Sequence, residues 1–357
     1  MSSALLCINL YLLLLVLINL VTIRRPISAT FTDKSVLVLL PVRNEEKNIE
    51  RVIGEIEHQV GVPNLRLLVI NDNSEDQTFE IAQSLSSTRT SVIGAPEPHA
   101  GWLGKVSALQ FGFTSLDYQP DYIVSIDADV RFQPEAMVRA IASIEKFQLD
   151  FISPYPRQIA ITWGERLAQP LLQWSWMSTL LLRFSEKFPL LSTVVCNGQF
   201  LVAKYEALIA IDGFSSVAHK VLDDIELGRS LVKSGFRGTV IDGSQLASTR
   251  MYQSFNELRA GYGKSLHTAF GSLFGAIFVA LFISVTGVLP FLLALTGNTY
   301  AIAALIAILA TRVLSAFASS TRLRDAFLHP FSVVLFLYLL HYSWRRRADA
   351  QWKGRKV

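Results

Sequence analysis

The sequence is poor in cysteine and in charge. Its 357 residues include two cysteines, Cys7 in an apolar run and Cys196 near the middle of the chain. That number is too small for a disulfide framework and fits a reducing compartment. Charged residues make up 17% of the chain, and the formal net charge is only +4. No internal repeat or low-complexity segment appears.

Apolar residues are abundant and unevenly distributed. They make up 51% of the chain, and the mean hydropathy is +0.36. These values are too apolar for an ordinary soluble domain and too polar for an all-membrane transporter. Because the excess lies at the two ends, we expect a soluble domain held by terminal membrane segments. The basic residues cluster beside the apolar runs, at 24–25, 322–324, 345–347 and 353–355. This pattern favours the cytoplasmic flanks of membrane helices over a nucleic-acid surface, so no nucleic-acid partner is expected.

The N-terminal apolar run covers residues 4–23 and has the length needed to cross about 30 Å of hydrocarbon. A cleaved signal peptide is the alternative. It is disfavoured because no positive segment precedes the run, the run is too long, and Arg24 and Arg25 stand where a small-residue cleavage site belongs. We therefore predict an uncleaved anchor over residues 1–26, with its C-terminal side in the cytoplasm.

The C-terminal third contains three apolar runs. The first, 269–295, is interrupted by Gly287 and Pro290, and the second is 301–319. Together they predict a hairpin that leaves and re-enters the cytoplasm. The third, 331–342, is shorter than a span, so a short interfacial or re-entrant helix is favoured, and a fourth span stays open. We expect two to three membrane helices over 268–344 and a basic cytoplasmic tail over 345–357.

Between these ends, strand-like and helix-like segments alternate. Predicted strands lie at 35–41, 64–70, 91–94 and 122–126, and predicted helices lie at 45–59, 78–84 and 105–113. This order predicts an α/β domain with a mostly parallel sheet and a site at the carboxyl ends of its strands. Pro41, residues 71–72 and residues 127–129 would lie at that edge.

Asp127 and Asp129 follow the predicted strand at 122–126. On an extended backbone, residues two apart point to the same side, so both carboxylates would leave one face of the strand. Hard oxygen ligands in this arrangement suit Mg²⁺ or Mn²⁺, with phosphate oxygens in the remaining positions. An ordinary acidic turn is the alternative interpretation.

Four motifs together resemble family 2 glycosyltransferases of the GT-A fold. They are PVRNEEKNI at 41–49, VINDNSEDQT at 69–78, the pair Asp127 and Asp129, and VLDDIELGRSLVKSG at 221–235. Each motif is weak by itself, but their order over about 200 residues is specific. The resemblance covers residues 35 to about 265. It implies a nucleotide-diphospho-sugar transferase domain over 34–255 and a membrane-interface segment over 256–267.

The resemblance assigns roles to residues of this sequence. Donor binding falls to Pro41, Glu45, Asp72, Lys105 and Asp127. A divalent cation, Mg²⁺ or Mn²⁺, is implied at Asp129 with Asp127 nearby, where it stabilises the leaving diphosphate.

The acidic pair supplies the predicted base, Asp224, with Asp223 as its neighbour. Structural alternatives exist: Glu45 as a first-turn helix charge, Asp72 as a turn former, Lys105 as a solvated lysine and Asp223 as a helix N-cap.

The sequence departs from many relatives in lacking Q-x-x-R-W after the acidic pair. In its place stands TRMYQSFNELRAGYGKS at 249–265. This segment, with GWLGK at 101–105, CNGQF at 196–200 and WKGR at 352–355, is similar to the branch with carotenoid-acid (diaponeurosporenoate-type) and hopanoid-associated glycosyltransferases. Possible contacts to the diphosphate or to lipid head groups are then Arg250, Tyr252, Arg259 and Lys264.

The resemblance thus implies a membrane-bound, metal-dependent, inverting glycosyltransferase of the hexosyltransferase type. Its donor would be a nucleotide diphosphate sugar, and its acceptor a lipid of carotenoid, hopanoid or polyprenyl type. We expect a multi-pass protein of the cell membrane with a cytoplasmic catalytic domain. A processive polysaccharide synthase is one alternative. A non-catalytic membrane protein with a degenerate transferase fold is the other, supported only by Asn71 at a usual aspartate position.

Overall fold

The computed structural model describes residues 2–347, 351–352 and 355–356. Part of the predicted basic tail at 345–357, including part of its WKGR motif, therefore lies outside the described residues. The described chain divides into two compact units. One contains residues 24–157 and 184–249, and we call it the catalytic unit. The other contains residues 2–23, 158–183 and the described chain from residue 250 onward, and we call it the helical unit.

The strands are β1 (Val36–Val42), β2 (Leu65–Asn71), β3 (Thr90–Gly94), β4 (Tyr122–Ile126), β5 (Val130–Phe132), β6 (Phe151–Tyr155), β7 (Arg157–Gln158), β8 (Phe200–Lys204), β9 (Gly238–Asp242), β10 (Ala247–Thr249), β11 (Gln351–Trp352) and β12 (Arg355–Lys356).

The α-helices are α1 (Ser2–Thr22), α2 (Ile49–Glu57), α3 (Thr78–Ser84), α4 (Gly104–Thr114), α5 (Ala136–Phe147), α6 (Trp163–Thr179), α7 (Leu182–Lys187), α8 (Tyr205–Ile209), α9 (Asp223–Lys233), α10 (Phe255–Ala269), α11 (Leu273–Ile283), α12 (Leu289–Ala294), α13 (Thr299–Ala318) and α14 (His329–Arg346). A π-helical turn covers Ser284–Val288, and 3₁₀-helices cover Leu191–Thr193, Ser215–Val217 and Leu323–Leu328.

One sheet organises the catalytic unit, with the strand order β3-β2-β1-β4-β8-β6-β9. β3, β2, β1 and β4 are mutually parallel, and β6 is parallel to β9. β8 runs antiparallel to both β4 and β6. The prediction of a mostly parallel sheet is therefore confirmed, and β8 is the exception. The predicted bounds of β4 and α3 coincide with the observed ones.

The sheet is buried on both faces, as expected for parallel strands covered by helices. Val36, Val38 and Leu40 of β1 face one apolar core, which also contains Val52 and Ile53 of α2. Leu37 and Leu39 alternate with them and face a second core. The period of two along an extended strand distributes this uninterrupted apolar segment between the two layers. The carboxyl edge of β1, β2 and β4 is left for polar residues.

The helical unit contains the apolar runs. Among the described residues, helical segments at Ser2–Thr22, Leu273–Ala294, Thr299–Ala318 and Leu323–Arg346 are long and apolar enough to cross a membrane. α1 packs along α13, and α10 packs against α14. Asn19 of α1 donates to the carbonyls of Met177 (2.8 Å) and Leu180 (2.6 Å), so it satisfies carbonyl groups at the C-terminal end of α6.

The third C-terminal apolar run, 331–342, belongs to a helix longer than its sequence predicts. The preference for an interfacial or re-entrant helix depends on the twelve-residue length of the apolar run 331–342. The helix that contains this run is longer than the run. The helix α14 has 18 residues and the segment Leu323–Arg346 has 24. His329, two residues before the run, and Ser343, directly after it, are fully buried and belong to α14, so the helix extends beyond the run at both ends.

The interruption at Gly287 and Pro290 is real but does not end the helical path. The π-helical turn at Ser284–Val288 connects α11 to α12. Because Pro290 has no N–H and its ring crowds the preceding turn, a widened turn there keeps the chain helical.

A glycine pair tests the packing of the sheet. A Cβ added at Gly238 of β9 would lie against the ring of Phe151, its partner in β6, whereas one added at Gly54 of α2 would meet nothing within 4 Å. Since Phe151 is buried and cannot withdraw, we expect Gly238→Ala to lower the free energy of unfolding by about 1–3 kcal/mol. Gly54→Ala should raise it by about 0.4–1 kcal/mol through helix propensity. Thermal unfolding in detergent measures both, and equal melting temperatures would contradict this packing.

Candidate active site

The loops after β1 and β2 are bound to each other at the carboxyl edge of the sheet. The Arg43 Nη1 atom donates to the carbonyl oxygens of Asp72 (3.0 Å) and Asn73 (2.8 Å). The backbone N–H of Glu45 donates to Thr78 Oγ1 (2.7 Å). The sheet thus brings the predicted donor-side residues onto neighbouring loops. It also corrects the helix predicted at 45–59, because α2 begins only at Ile49. Glu45 is therefore not a first-turn helix charge.

Both loops use asparagines where the backbone turns. Asn44 has φ 53° and Asn73 has φ 50°, in the left-handed region that asparagine tolerates better than most residues. Asn71, at the position where relatives usually have aspartate, accepts from the N–H of Ser74 with its Oδ1 (3.2 Å). That contact needs an acceptor oxygen and no charge, so an amide can perform it.

Asp127 and Asp129 lie in a turn. β4 ends at Ile126, β5 begins at Val130, and the Val130 N–H donates to the Asp127 carbonyl across the turn (3.3 Å). The expectation that both carboxylates leave an extended strand on one face is therefore wrong. They still lie near each other, because a turn also brings residues two apart close together.

The carboxylate of Asp129 accepts from Thr249 Oγ1 (3.1 Å), on β10. Burial is the main cause that raises the pKa of Asp129 to about 7, and the negative charges of Asp127 and Glu45 add to it. The site therefore concentrates negative charge where a cation would relieve the repulsion. No group of three or more His, Cys, Asp or Glu side chains that could hold a metal occurs among the described residues. Asp127 and Asp129 alone suit an ion that takes its other oxygens from a ligand and water, as Mg²⁺ commonly does.

Lys105, at the start of α4, stands among these carboxylates. Its Nζ pairs with Asp127 Oδ1 at 2.6 Å, and it also interacts with Asp223 and Asp224. Burial by itself lowers the pKa of Lys105, but the carboxylates of Asp127 and Asp223 raise it above its ordinary value. The alternative of a solvated lysine is therefore wrong, because this side chain is a charged, half-buried ion-pair partner.

The acidic pair opens α9. Asp224 Oδ2 accepts from the Gly198 N–H (2.8 Å), and its Oδ1 accepts from the Ile225 N–H (2.8 Å). Burial raises the pKa of Asp224 to about 6, with a further contribution from Asp223. The N-cap position belongs to Leu222 and has no side-chain cap, so the alternative role of Asp223 as N-cap is wrong. A small cavity beside the pair is lined by Lys105, Ser125 and Gly198, with apolar side chains around them.

A loop that the sequence analysis did not assign a role, residues 196–199, holds both parts of the site. The Gln199 carbonyl accepts from the Asp127 N–H (3.3 Å), while the Gly198 N–H donates to Asp224. Buried Ser153 anchors the loop, accepting from the Asn197 N–H (2.8 Å) and donating to its carbonyl (3.2 Å). The motif CNGQF signalled this loop; no sequence signal pointed to Ser153 or Thr249.

The other residues predicted to contact the diphosphate or a lipid head group lie in the helical unit, and each interacts with another part of the protein. Arg250 pairs with Glu165 (3.0 Å), and the ring of buried Tyr252 lies 5.9 Å from that of Tyr262. The Arg259 guanidinium lies over the Tyr342 ring at 5.2 Å. Lys264 is half-buried on α10. Their proposed role toward a diphosphate or a lipid head group stays a prediction.

Comparison with known proteins agrees with the motifs. Residues 37–208 match the model of the family described as Glycosyl transferase family 2. A protein of Staphylococcus aureus (strain USA300) named 4,4'-diaponeurosporenoate glycosyltransferase is 25% identical over 359 residues, covering 91% of this chain and 89% of that protein. The protein of the same name from strain MRSA252 is 27% identical over 262 residues, covering 68% of this chain and 63% of that protein. The resemblance stated from the motifs is confirmed.

A solved structure supports the fold. The mannosyltransferase PcManGT from Pyrobaculum calidifontis, determined in complex with GDP-Man and Mn²⁺, superposes with a TM-score of 0.55. The match covers 98% of this chain and all of that chain (100%), at 14% identity. At this identity the likeness concerns the fold alone. The predicted GT-A fold is confirmed.

The anchor of the 196–199 loop can be tested without an activity assay. Ser153→Ala leaves the part-buried N–H and carbonyl of Asn197 without their side-chain partner, which we expect to cost about 1–3 kcal/mol of stability. Deuterium exchange of the amides at 197–199 should accelerate, and the melting temperature should fall. Ser86→Ala, on an exposed serine, is the control and should change neither. Unchanged exchange at 197–199 would show that Ser153 does not hold the loop.

Proposed function

We propose that this chain, which carries a glycosyltransferase family 2 domain over residues 37–208, moves a sugar from a nucleotide diphosphate sugar to a lipid acceptor with inversion at the anomeric carbon. One observation carries the proposal. The catalytic unit gathers Asp127, Asp129, Lys105 and Asp224 around one region at the carboxyl edge of its sheet. That arrangement has the parts that displacement of a diphosphate from a sugar requires.

The donor would lie on the two linked loops after β1 and β2. The carboxylates of Glu45 and Asp72 are acceptors suited to a base edge and to ribose hydroxyls, and Pro41 lies in β1 one residue before the strand ends. The binding of these loops to each other by Arg43 supports a pre-formed nucleoside subsite. The P. calidifontis enzyme was solved with GDP-Man, which supports a nucleotide sugar of this general class.

Asp129 and Asp127 would hold a divalent cation that the donor diphosphate also contacts. When bound, it supplies Lewis-acid stabilisation of the negative charge that grows on the leaving group. The chain's own contribution is the close placement of two carboxylates and of Lys105, whose Nζ is the cation nearest to Asp127. The buried environment of Asp129 makes a positive neighbour more favourable there than in water.

Asp224 would act as the general base on a hydroxyl acceptor. Two backbone N–H groups fix its carboxylate, and its pKa of about 6 leaves it deprotonated at neutral pH while keeping it basic enough to accept a proton. One base acting in a single displacement gives inversion. For a carboxylic acid acceptor, which is already ionised, Asp224 would orient the nucleophile instead.

A lipid acceptor is supported by the apolar helices and by the relatives. The curated relatives are named for glycosylation of 4,4'-diaponeurosporenoate, which fits the carotenoid-acid branch indicated by the motifs. The candidate spans lie in the same chain as the transferase domain. The arginines beside the apolar runs support a multi-pass protein of the cell membrane with a cytoplasmic catalytic unit.

The function is tested with purified full-length protein in lipid, Mn²⁺ and a panel of nucleotide sugars. We expect nucleoside diphosphate release that requires one donor, the metal and a lipid extract containing the acceptor. Release from one donor without any lipid would indicate a hydrolase. No release and no thermal shift with any donor would instead support the non-catalytic alternative.

Two substitutions separate the proposed roles. We expect Asp129→Ala to abolish transfer and to remove the response to Mn²⁺, because the buried carboxylate beside the diphosphate is lost. We expect Asp224→Asn to bind donor normally while turnover on a hydroxyl acceptor falls by about 10²–10⁴-fold, the usual contribution of a positioned base. Asp117→Asn, at an exposed position, is the charge-matched control. Full activity in either test variant would remove that residue from the mechanism.

The raised pKa of Asp224 predicts an acid limit to activity. A base works only when deprotonated, so kcat/KM on a hydroxyl acceptor should fall as the pH drops through about 6. Lys105 lowers the pKa of Asp224, so Lys105→Met should move this limit to higher pH, whereas Lys105→Arg should leave it in place. A pH profile measured at saturating metal tests this. The same limit in wild type and in Lys105→Met would contradict the electrostatic link.

A further inference from the structure

The helical unit contains buried basic and polar side chains within its apolar spans. Arg312 of α13 is 3% exposed, and His329, the first residue of α14, is 0% exposed. Both belong to segments long and apolar enough to cross a membrane. Ionisable groups are costly at such positions and usually mark a functional site. Neither residue has a role in the proposed transfer.

Several polar atoms of this region lack a partner. Among the described residues, no hydrogen bond reaches Arg312 Nη1, either ring nitrogen of His329, or the hydroxyls of Ser315 and Ser332. Ser315 is 3% exposed and Ser332 is 0% exposed. Buried polar groups in proteins are nearly always paired, because each unpaired one loses its bonds to water. Several orphaned groups on two neighbouring helical segments indicate a missing ligand.

Trp174 of α6 joins these groups into one cluster. Its ring centroid lies 4.8 Å from that of His329, and the Arg312 Cζ atom lies 5.9 Å from the ring. The indole N–H donates to Thr311 Oγ1 (2.8 Å) and is therefore already used. Arg312 and His329 thus flank the same aromatic ring, with Arg312 Nη1 and both ring nitrogens of His329 unsatisfied.

The charges of the cluster do not balance. The carboxylate of Asp325, 3% exposed, accepts from Arg166 Nε (2.9 Å) and Nη2 (2.5 Å). Arg312 also interacts electrostatically with Asp325. The neighbouring carboxylate on α6, Glu165, is paired with Arg250 (3.0 Å). Two guanidinium groups therefore share Asp325, and one positive charge remains. A buried surplus charge is costly unless an opposite charge joins it.

The wall opposite His329 is backbone. A Cβ added at Gly287, in the π-helical turn, would lie 2.8 Å from His329 Nε2 and 2.9 Å from Val333 Cγ2. Only glycine allows this approach, and π-helical turns often occur at functional sites. On this side the imidazole therefore faces the backbone of the π-helical turn at Gly287.

The cluster lies near one end of its spans. Arg312 is six residues before the end of α13, about 9 Å along the helix axis. The connection from α13 to α14 carries exposed Arg322 and Arg324. Basic pockets between membrane helices on the cytoplasmic side are suited to anionic lipid head groups. A head group could reach this depth while its chains remain in the hydrocarbon.

We propose that Arg312 and His329, with the hydroxyls of Ser315 and Ser332, form a binding site for the singly charged oxyanion of a lipid head group. The ligand chemistry is a phosphodiester or a carboxylate attached to an apolar chain. A guanidinium binds such an oxyanion with two parallel N–H donors, and the hydroxyls supply further donors. The site shares no residue with the proposed transfer site.

The test uses the purified full chain in dodecyl maltoside micelles, which contain neither phosphate nor carboxylate. Phosphatidylglycerol, oleate or diacylglycerol is added, and the melting temperature is measured. We expect phosphatidylglycerol, oleate or both to raise the melting temperature, because a ligand that binds only the folded state stabilises it. Phosphatidylglycerol alone would identify a phosphodiester, and oleate alone a carboxylate. Diacylglycerol, which has the chains without the anion, should have no effect.

In the Arg312→Gln variant, the anionic lipid should no longer raise the melting temperature. Arg324→Gln makes the same change of charge at an exposed arginine, and this variant should keep the rise. Arg312→Leu should melt in plain micelles at or above the wild-type temperature, since it removes an unbalanced buried charge. Ser332→Ala keeps the charge and the fold and should reduce the shift, so the proposal stays testable if an Arg312 variant fails to fold. No shift in wild type, or the same shift in wild type and in Arg312→Gln or Ser332→Ala, would overturn the site. Since nothing here depends on sugar transfer, its failure is separate from failure of the proposed function.

Discussion

The ion pair between Lys105 and Asp127 (2.6 Å) is the interaction on which the candidate active site depends. Without a positive group, the carboxylates of Asp127, Asp129 and Asp224 would repel one another in partly buried surroundings. Burial, with a smaller contribution from neighbouring carboxylates, raises the pKa of Asp129 to about 7 and that of Asp224 to about 6, so Lys105 offsets this cost only in part. The negative charge around Asp129 supports the proposed divalent cation, and the fixed carboxylate of Asp224 supports its proposed role as base.

The sheet fixes the positions of the loops that carry these charged residues. Parallel pairing of β1 with β2 and β4 brings three loops to one edge, and the antiparallel strand β8 returns the 196–199 loop to the same edge. That loop contacts the backbone of Asp127 and the carboxylate of Asp224. The two functional halves are therefore held by one short segment, whose backbone is bound to buried Ser153. A rigid scaffold of this kind reduces the reorganisation that a reaction requires.

The two units show opposite forms of the same electrostatic constraint. The catalytic unit concentrates negative charge around one lysine, whereas the helical unit places buried Arg312 and part-buried Arg166 around Asp325. In surroundings of low dielectric constant, an unbalanced charge raises the free energy of the folded protein. A ligand of the opposite sign offsets this increase. This argument leads to a cation in the first unit and to an anionic head group in the second. Each follows from the contacts of the residues concerned.

The amino-acid sequence alone determined the element types, the GT-A resemblance and the apolar segments, because alternation, apolar run length and motif order are properties of neighbouring residues. Through the family resemblance it also named Asp127, Asp129, Asp224 and Lys105 as candidate site residues. The tertiary structure decided that Asp127 and Asp129 lie in a turn, that Lys105 is an ion-pair partner, and that His329 continues a helix. It also introduced Ser153 and Thr249. These features depend on contacts between residues far apart in the chain, as in the bond from Thr249 to Asp129, and no local pattern encodes such a contact.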